Sequence, residues 1–127
     1  MRPFSLFVFL LLVSGAAFGQ TANATITGTV ADQTGAVIAN APIEARHVDT
    51  GALFLAATTE TGNYTIGQLP IGRYEVTVSA PGFKTFNRQG LNLVAAQVLR
   101  LDIPMEVGST QESVTITADA TLLKTES

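Results

Sequence analysis

The chain of 127 residues has no cysteine, no tryptophan, a single histidine and only 13% charged residues. Without cysteine there is no disulfide framework, no thiolate metal site and no acceptor for a lipid anchor. With His47 alone, the two or three His/Glu ligands and the base that a zinc hydrolase needs cannot be assembled. Missing tryptophan removes the ring best suited to a flat sugar-binding platform. After Val13 no apolar stretch approaches the roughly 20 residues of a membrane-spanning helix. The basic residues Arg46, Arg73, Lys84, Arg88, Arg100 and Lys124 are scattered, which excludes the basic patch that nucleic acid selects.

What is present begins at the amino terminus. Arg2 precedes an apolar run from Phe4 to Val13, followed by the small residues Ser14 to Ala17 and Gly19. That order predicts a signal peptide over residues 1–19, cleaved after Gly19. Its removal takes away Arg2 and makes the formal charge of −3 one unit more negative. The remainder is enough for one domain and too short for two.

Beyond residue 20 the sequence reads as short alternating strands punctuated by turns. From Arg73 to Ala80, Tyr74, Val76, Val78 and Ala80 alternate with Arg73, Glu75, Thr77 and Ser79, the period-2 pattern of a half-buried strand. Thr61-Gly62-Asn63 predicts a tight hairpin between Thr59 and Tyr64, and Leu69-Pro70-Ile71-Gly72 a second hairpin-like reversal. Further strands are expected at Ala24–Ala31, Pro42–Val48, Ala52–Thr59, Val98–Met105 and Gln111–Ala118, while Lys84–Gly90 stays unassigned. Pro104 places its strand at an edge or at a strand end. The expected core comprises Ile26, Val30, Ile43, Phe54, Tyr64, Ile66, Leu69, Tyr74, Val76, Val78, Leu99 and Leu101. Phe83 and Phe86 cover one end of it. Gly28, on an inward position, implies close approach by a neighbouring strand or a bulky ring. His47 reads as a strand-surface residue, and Lys84 and Arg88 as the solvated face of a strand. Spacing of this kind predicts an all-β fold, a single antiparallel sandwich of about seven strands.

Several short motifs occur in a characteristic order: Thr27-Gly28-Thr29-Val30, Asp32, Gly35-Ala36, Ala41-Pro42, Thr50-Gly51, Thr61-Gly62-Asn63-Tyr64, Leu69 to Tyr74, and Ala80-Pro81-Gly82-Phe83. Together they resemble the carboxypeptidase regulatory-like domain, across Ala24 to about Glu106. The resemblance implies a prealbumin-like (transthyretin-like) sandwich and no peptidase activity of its own. Residues 20–106 are then the sandwich and residues 107–127 an extra strand with a tail. The stretch from Met105 to Ser127 is similar to the junction that leads, in Oar-like TonB-dependent outer-membrane receptors, into the plug. In those receptors the domain is a periplasmic accessory extension. The barrel itself would need far more chain than is present here.

No catalytic, cofactor-binding or metal-binding residue is expected. Serine or threonine nucleophiles lack a positioned base, and Glu60 with Glu75 is the kind of acid pair that any ten scattered acids supply. Asp32 and Asp49 offer one acid per loop, too little for a calcium cage. No lysine lies in Ala24–Ala31 to begin an isopeptide bond. The expected role is an exported, non-catalytic module in the periplasm or at the outer membrane, with a protein partner contacted through Thr-rich edge strands. Glycan binding, which the resemblance to starch-binding-like sandwiches implies, is the alternative. Phe83, Phe86 and Arg88 are the candidate ligand or partner surface, whereas Tyr64 and Tyr74 are assigned to the core with their hydroxyls bonded at its edge.

Overall fold

Alternating polar and apolar residues put one face of each strand into a shared core, and a computed structural model describes this for residues 22–117. The expected signal peptide and most of the tail lie outside the described residues. Nine strands occur within them: β1 (Ala24–Asp32), β2 (Pro42–His47), β3 (Leu53–Ala57), β4 (Asn63–Leu69), β5 (Gly72–Val78), β6 (Thr85–Leu93), β7 (Val98–Arg100), β8 (Ile103–Met105) and β9 (Ser113–Ile116). One sheet runs β4-β1-β7 with β8 also on β1, and the other runs β3-β2-β5-β6-β9. The all-β sandwich is as expected. Pairing is antiparallel for β1/β4, β2/β3, β2/β5 and β5/β6, but parallel for β1/β7, β1/β8 and β6/β9.

The strand count exceeds seven for identifiable reasons. The unassigned stretch after Phe83 is β6, nine residues long, held between β5 and β9. The expected strand Val98–Met105 is broken into β7 and β8 at Leu101–Asp102, and both pieces pair with β1.

The two expected hairpins need correction. The local reversals exist: Gly62 donates to the Thr59 carbonyl at 2.9 Å, and Thr59 to that of Asn63 at 2.8 Å. However, β3 and β5 belong to one sheet and β4 to the other, so both reversals are corners at which the chain changes sheet. Turn residues dictate that the chain reverses; the neighbours that complete each ladder dictate which strands pair. The hairpins are instead β2–β3 and β5–β6.

Between the sheets lie Ile26, Val30, Ile43, Tyr74, Val76, Val78, Leu69, Ile103 and Met105, all essentially inaccessible to water. Ala24, Ala41, Ala45, Phe86, Leu91 and Leu93 join them, while Phe54, Leu99 and Leu101 are only partly buried against this core. Gly28 meets the expectation of close approach. A β-carbon there would overlap the carbonyl of Leu101, the residue at which β7 gives way to β8.

Candidate functional site

Of the expected surface of Phe83, Phe86 and Arg88, Phe86 lies in the core and the other two are partly buried. Phe86, opposite Val78 and Val114 in the ladder, is 2% exposed and belongs to the core, because every second residue of β6 there faces the other sheet. Arg88 lies opposite Val76 and Ile116, on that same inner face, rather than on a solvated one. Its Nε is buried and makes no hydrogen bond among the described residues. Phe83 is partly buried and bridges to Val107 at the end of the sandwich. Lys84 pairs with Glu106 at 3.9 Å.

His47 is also placed differently from expectation. It is 6% exposed, on the inner face that Ile43 and Ala45 define in β2. Thr50 donates its backbone N–H to Nδ1 at 3.2 Å, so Nε2 carries the proton and donates to the Ile71 carbonyl at 3.1 Å. The ring meets Tyr74 edge-on at 5.0 Å, and Gly72 has no β-carbon to collide with Nε2. Both ring nitrogens are therefore used in holding two turns together. The parity with Ile43 and Ala45 was the signal in the sequence that marks His47 as internal.

Both tyrosines hold core positions with bonded hydroxyls. Tyr64 donates to the Leu101 carbonyl at 2.5 Å, and Tyr74 to the Pro70 carbonyl at 2.6 Å. Burial pushes the Tyr64 phenol well above its ordinary range, aided by the charge of Asp102 and opposed by Arg100. Burial likewise raises Tyr74.

Asp32, Glu75 and Asp102 are engaged in local structure. Asp32 accepts from the Thr34 hydroxyl at 2.6 Å and from the backbone N–H groups of Thr34 and Ala36, which closes the turn after β1 and holds its carboxyl below the usual range. At Asp102 burial raises the carboxyl, but the Thr29 N–H and the adjacent Arg100 outweigh it and the net shift is downward. Glu75 binds Arg46 at 3.3 Å and accepts from Asn87 at 2.9 Å. Among the described residues no three His, Asp or Glu side chains converge on a common point.

The described residues form concave surface in a hollow of about 140 Å³ between Glu44, Leu55 and Thr77, on the face of the β3-β2-β5 sheet, and at one end of the sandwich. An open groove of about 550 Å³ runs between Ile71, Arg73, Asn92 and Val94, and a second of about 400 Å³ lies by Ala22, Pro70 and Ala95. Neither is lined by an aromatic ring. All five described aromatics, Phe54, Tyr64, Tyr74, Phe83 and Phe86, are buried or partly buried.

The most open feature is an edge. Strand β3 pairs on one side with β2 and, among the described residues, has no strand on the other. Leu53 and Leu55 are 53% and 74% exposed on its outer face, while Phe54 and Ala56 pack inward. The Thr-rich strand β1 is central, flanked by β4 and by β7 and β8. Its threonines spend their hydroxyls locally: Thr27 on the Tyr64 carbonyl and Thr29 on Asp102.

The sequence model of the carboxypeptidase regulatory-like domain family matches residues 25–106. The chain belongs to that family. In this carboxypeptidase regulatory-like domain the matched span takes in β1 to β8 and stops before β9. The family is a non-catalytic regulatory or binding sandwich.

Solved structures with the same fold include a candidate carbohydrate-binding protein of Bacteroides uniformis, at 22% identity and a TM-score of 0.53, covering 65% of this chain and 40% of that one. A type II cohesin–X-dockerin complex of Acetivibrio cellulolyticus matches at 18% identity and 0.50, covering 67% and 58%. Catechol 1,2-dioxygenase of Acinetobacter radioresistens matches at 14% and 0.53, covering 79% and 60%. The domain thus spans less than two thirds of each of these chains, and the likeness is one of fold. No curated protein matches the sequence.

Proposed function

We propose that the protein is an exported, non-catalytic interaction module, the periplasmic amino-terminal domain of a TonB-dependent outer-membrane receptor or a free-standing relative of one. The observation that carries the interaction role is the uncovered edge of β3, where an apolar strand face and a row of backbone groups stand open to solvent. Support for export comes from Arg2 and the apolar run Phe4–Val13, and support for the receptor setting from the junction-like sequence Met105–Ser127. Among the described residues Asp32, His47 and Glu75 are engaged in turns and ion pairs, which supports a non-catalytic role.

Expression of the full chain in a Gram-negative host tests the setting. A periplasmic product whose first residue is Gln20 is the expected result; an uncleaved cytoplasmic product overturns it. A reading frame that continues past Ser127 into a plug and barrel would assign the chain to a receptor.

Glycan binding is the second reading, favoured by the fold shared with a candidate carbohydrate-binding protein. It suffers from the burial of the aromatic rings. Saturable binding of oligosaccharides, lost on Phe83→Ala in a protein that stays folded, would replace the protein-contact reading with this one.

A further inference from the structure

Natural sandwiches blunt their edges with bulges, prolines, charges or very short strands. Three of the four edges here carry such a device. In β4 the register slips between its pairings with Ala24 and Ile26, and Gln68 takes φ 59°. The edge made by β7 and β8 consists of two three-residue pieces interrupted at Leu101–Asp102, with Pro104 in the second. Strand β9 is four residues long. By contrast β3, Leu-Phe-Leu-Ala-Ala, has no charge, no proline and no slip in its register with β2.

Its hydrogen-bonding parity is fixed. His47 donates to the Ala52 carbonyl and Thr58 to that of Ala41, both across the β2/β3 ladder. Hydrogen-bonded pairs alternate along an antiparallel ladder, so Phe54 and Ala56 direct their backbone groups to β2, and Leu53, Leu55 and Ala57 direct theirs to the open side. The residues with free backbone groups are the same residues whose side chains stand exposed on the outer face.

We propose that this edge pairs with the same edge of a second copy, antiparallel and centred on Leu55. The proposal rests on the reading of β3 as a docking edge and names its partner. Self-complementarity selects the partner and the register. A twofold axis beside Leu55 sets Leu55 against Leu55 of the second copy and Leu53 against Ala57, so each residue with outward backbone groups meets another. Every side-chain pair along the strand is then apolar. The first charges beyond it, Asp49 and Glu60, fall opposite Thr61 and Thr50, and no like charges meet. Only this register pairs all five strand residues with strand residues; moving the axis by one residue keeps the backbone parity but leaves two of the five beyond the partner strand, and moving it by two leaves four. The contact joins the two five-stranded sheets edge to edge. Five residues a side bury much less than the roughly 1,200 Å² of stable complexes, so the dimer is expected to be weak, with dissociation between about 10 µM and 1 mM.

Sedimentation equilibrium of the exported full chain over that range, on wild type, Leu55→Lys and Leu55→Glu, tests the proposal. Leu55 is largely exposed, and circular dichroism melts show whether each variant keeps the fold. Wild type should dimerise, and each variant alone should associate at least about tenfold more weakly, because like charges face each other across the axis. An equimolar mixture of the two variants should recover association, since Lys and Glu then meet. Four results would overturn the pairing: a wild type monomeric to about 1 mM; a dimer indifferent to both variants; loss without recovery in the mixture; or a monomer whose Leu55 amide is protected from exchange, which would place another segment of the chain on the edge. None of these touches export and cleavage after Gly19, so failure of the pairing and failure of the periplasmic reading are told apart.

Discussion

The carbonyl of Leu101 occupies the place that a β-carbon on Gly28 would take. Leu101 is fixed there twice, by its own N–H on the Thr27 carbonyl at 2.8 Å and by the Tyr64 hydroxyl on its oxygen at 2.5 Å. Tyr64 lies directly opposite Gly28 in the β1/β4 ladder. One glycine therefore makes room for the chain to bulge over β1 between β7 and β8, both of which pair with β1.

Gly28→Ala should be destabilising by about 3 kcal/mol or more, since backbone rather than a flexible side chain must yield. Gly67→Ala, with open space around it and no left-handed φ, is the control and should stay within about 0.5 kcal/mol of wild type. Urea unfolding of the pair measures both; equal effects would contradict the packing at Leu101.

Tyr64→Phe removes the hydroxyl and strips the Leu101 carbonyl of one bond, at a cost of about 1–2 kcal/mol. The buried phenol also shapes the alkaline limb of stability. Its folded value stands above the 10.0 of the free side chain, so its contribution is full below pH 10 and declines as pH rises above it. Wild type should lose stability above pH 10 more steeply than Tyr64→Phe, a difference visible in melts taken from pH 8 to 11.

At the acid end the sign reverses. The Asp32 and Asp102 carboxyls lie below their free value of 3.8 in the folded chain, so their contribution is full above that value and disappears as pH falls through the lower folded values. Asp32→Ala should lower the melting temperature at pH 7, with the gap to wild type closing towards pH 2. A gap that persists at low pH would assign the effect to something other than the charged cap on Thr34 and Ala36.

The nitrogen-15 spectrum of the His47 ring should show Nε2 protonated and Nδ1 bare, as the Thr50 and Ile71 bonds require. The opposite tautomer would contradict the geometry. His47→Ala should cost about 2 kcal/mol through the unpaired turn groups and the lost contact with Tyr74.

Phe86→Ala should cost about 3–5 kcal/mol as a core truncation. Phe83→Ala, at the partly buried end, should cost clearly less, and only that variant can report on a surface role.

Much of the fold was legible because period-2 alternation is a local signal. Tyr74, Val76 and Val78 face the core as their spacing says, and His47 follows the same parity as Ile43 and Ala45 despite its polarity. The inward positions of Phe86 and Arg88 are masked in the sequence because the stretch after Lys84 lacks a clean alternation: β6 carries one extra residue opposite Tyr74–Val76, with Gly90 at φ 76°, which shifts the pattern partway along the strand. The β3 edge was hidden for a different reason. Exposure of Leu53 and Leu55 follows from which strands are neighbours, and no residue in Ala52–Thr59 encodes that β3 ends its sheet.

By itself the sequence determined most of the strands, the places where the chain turns, the buried tyrosines and the need for a glycine at position 28, all of which depend on residues near in sequence or on the size of one side chain. The tertiary structure alone decided that the turns at Gly62 and Gly72 pass between sheets, that β1 is central while β3 is free, and that Leu101 fills the space over Gly28. Those outcomes depend on ladders between segments far apart in the chain, where the competing pairings use the same alternating pattern and only the packing of both sheets together selects among them.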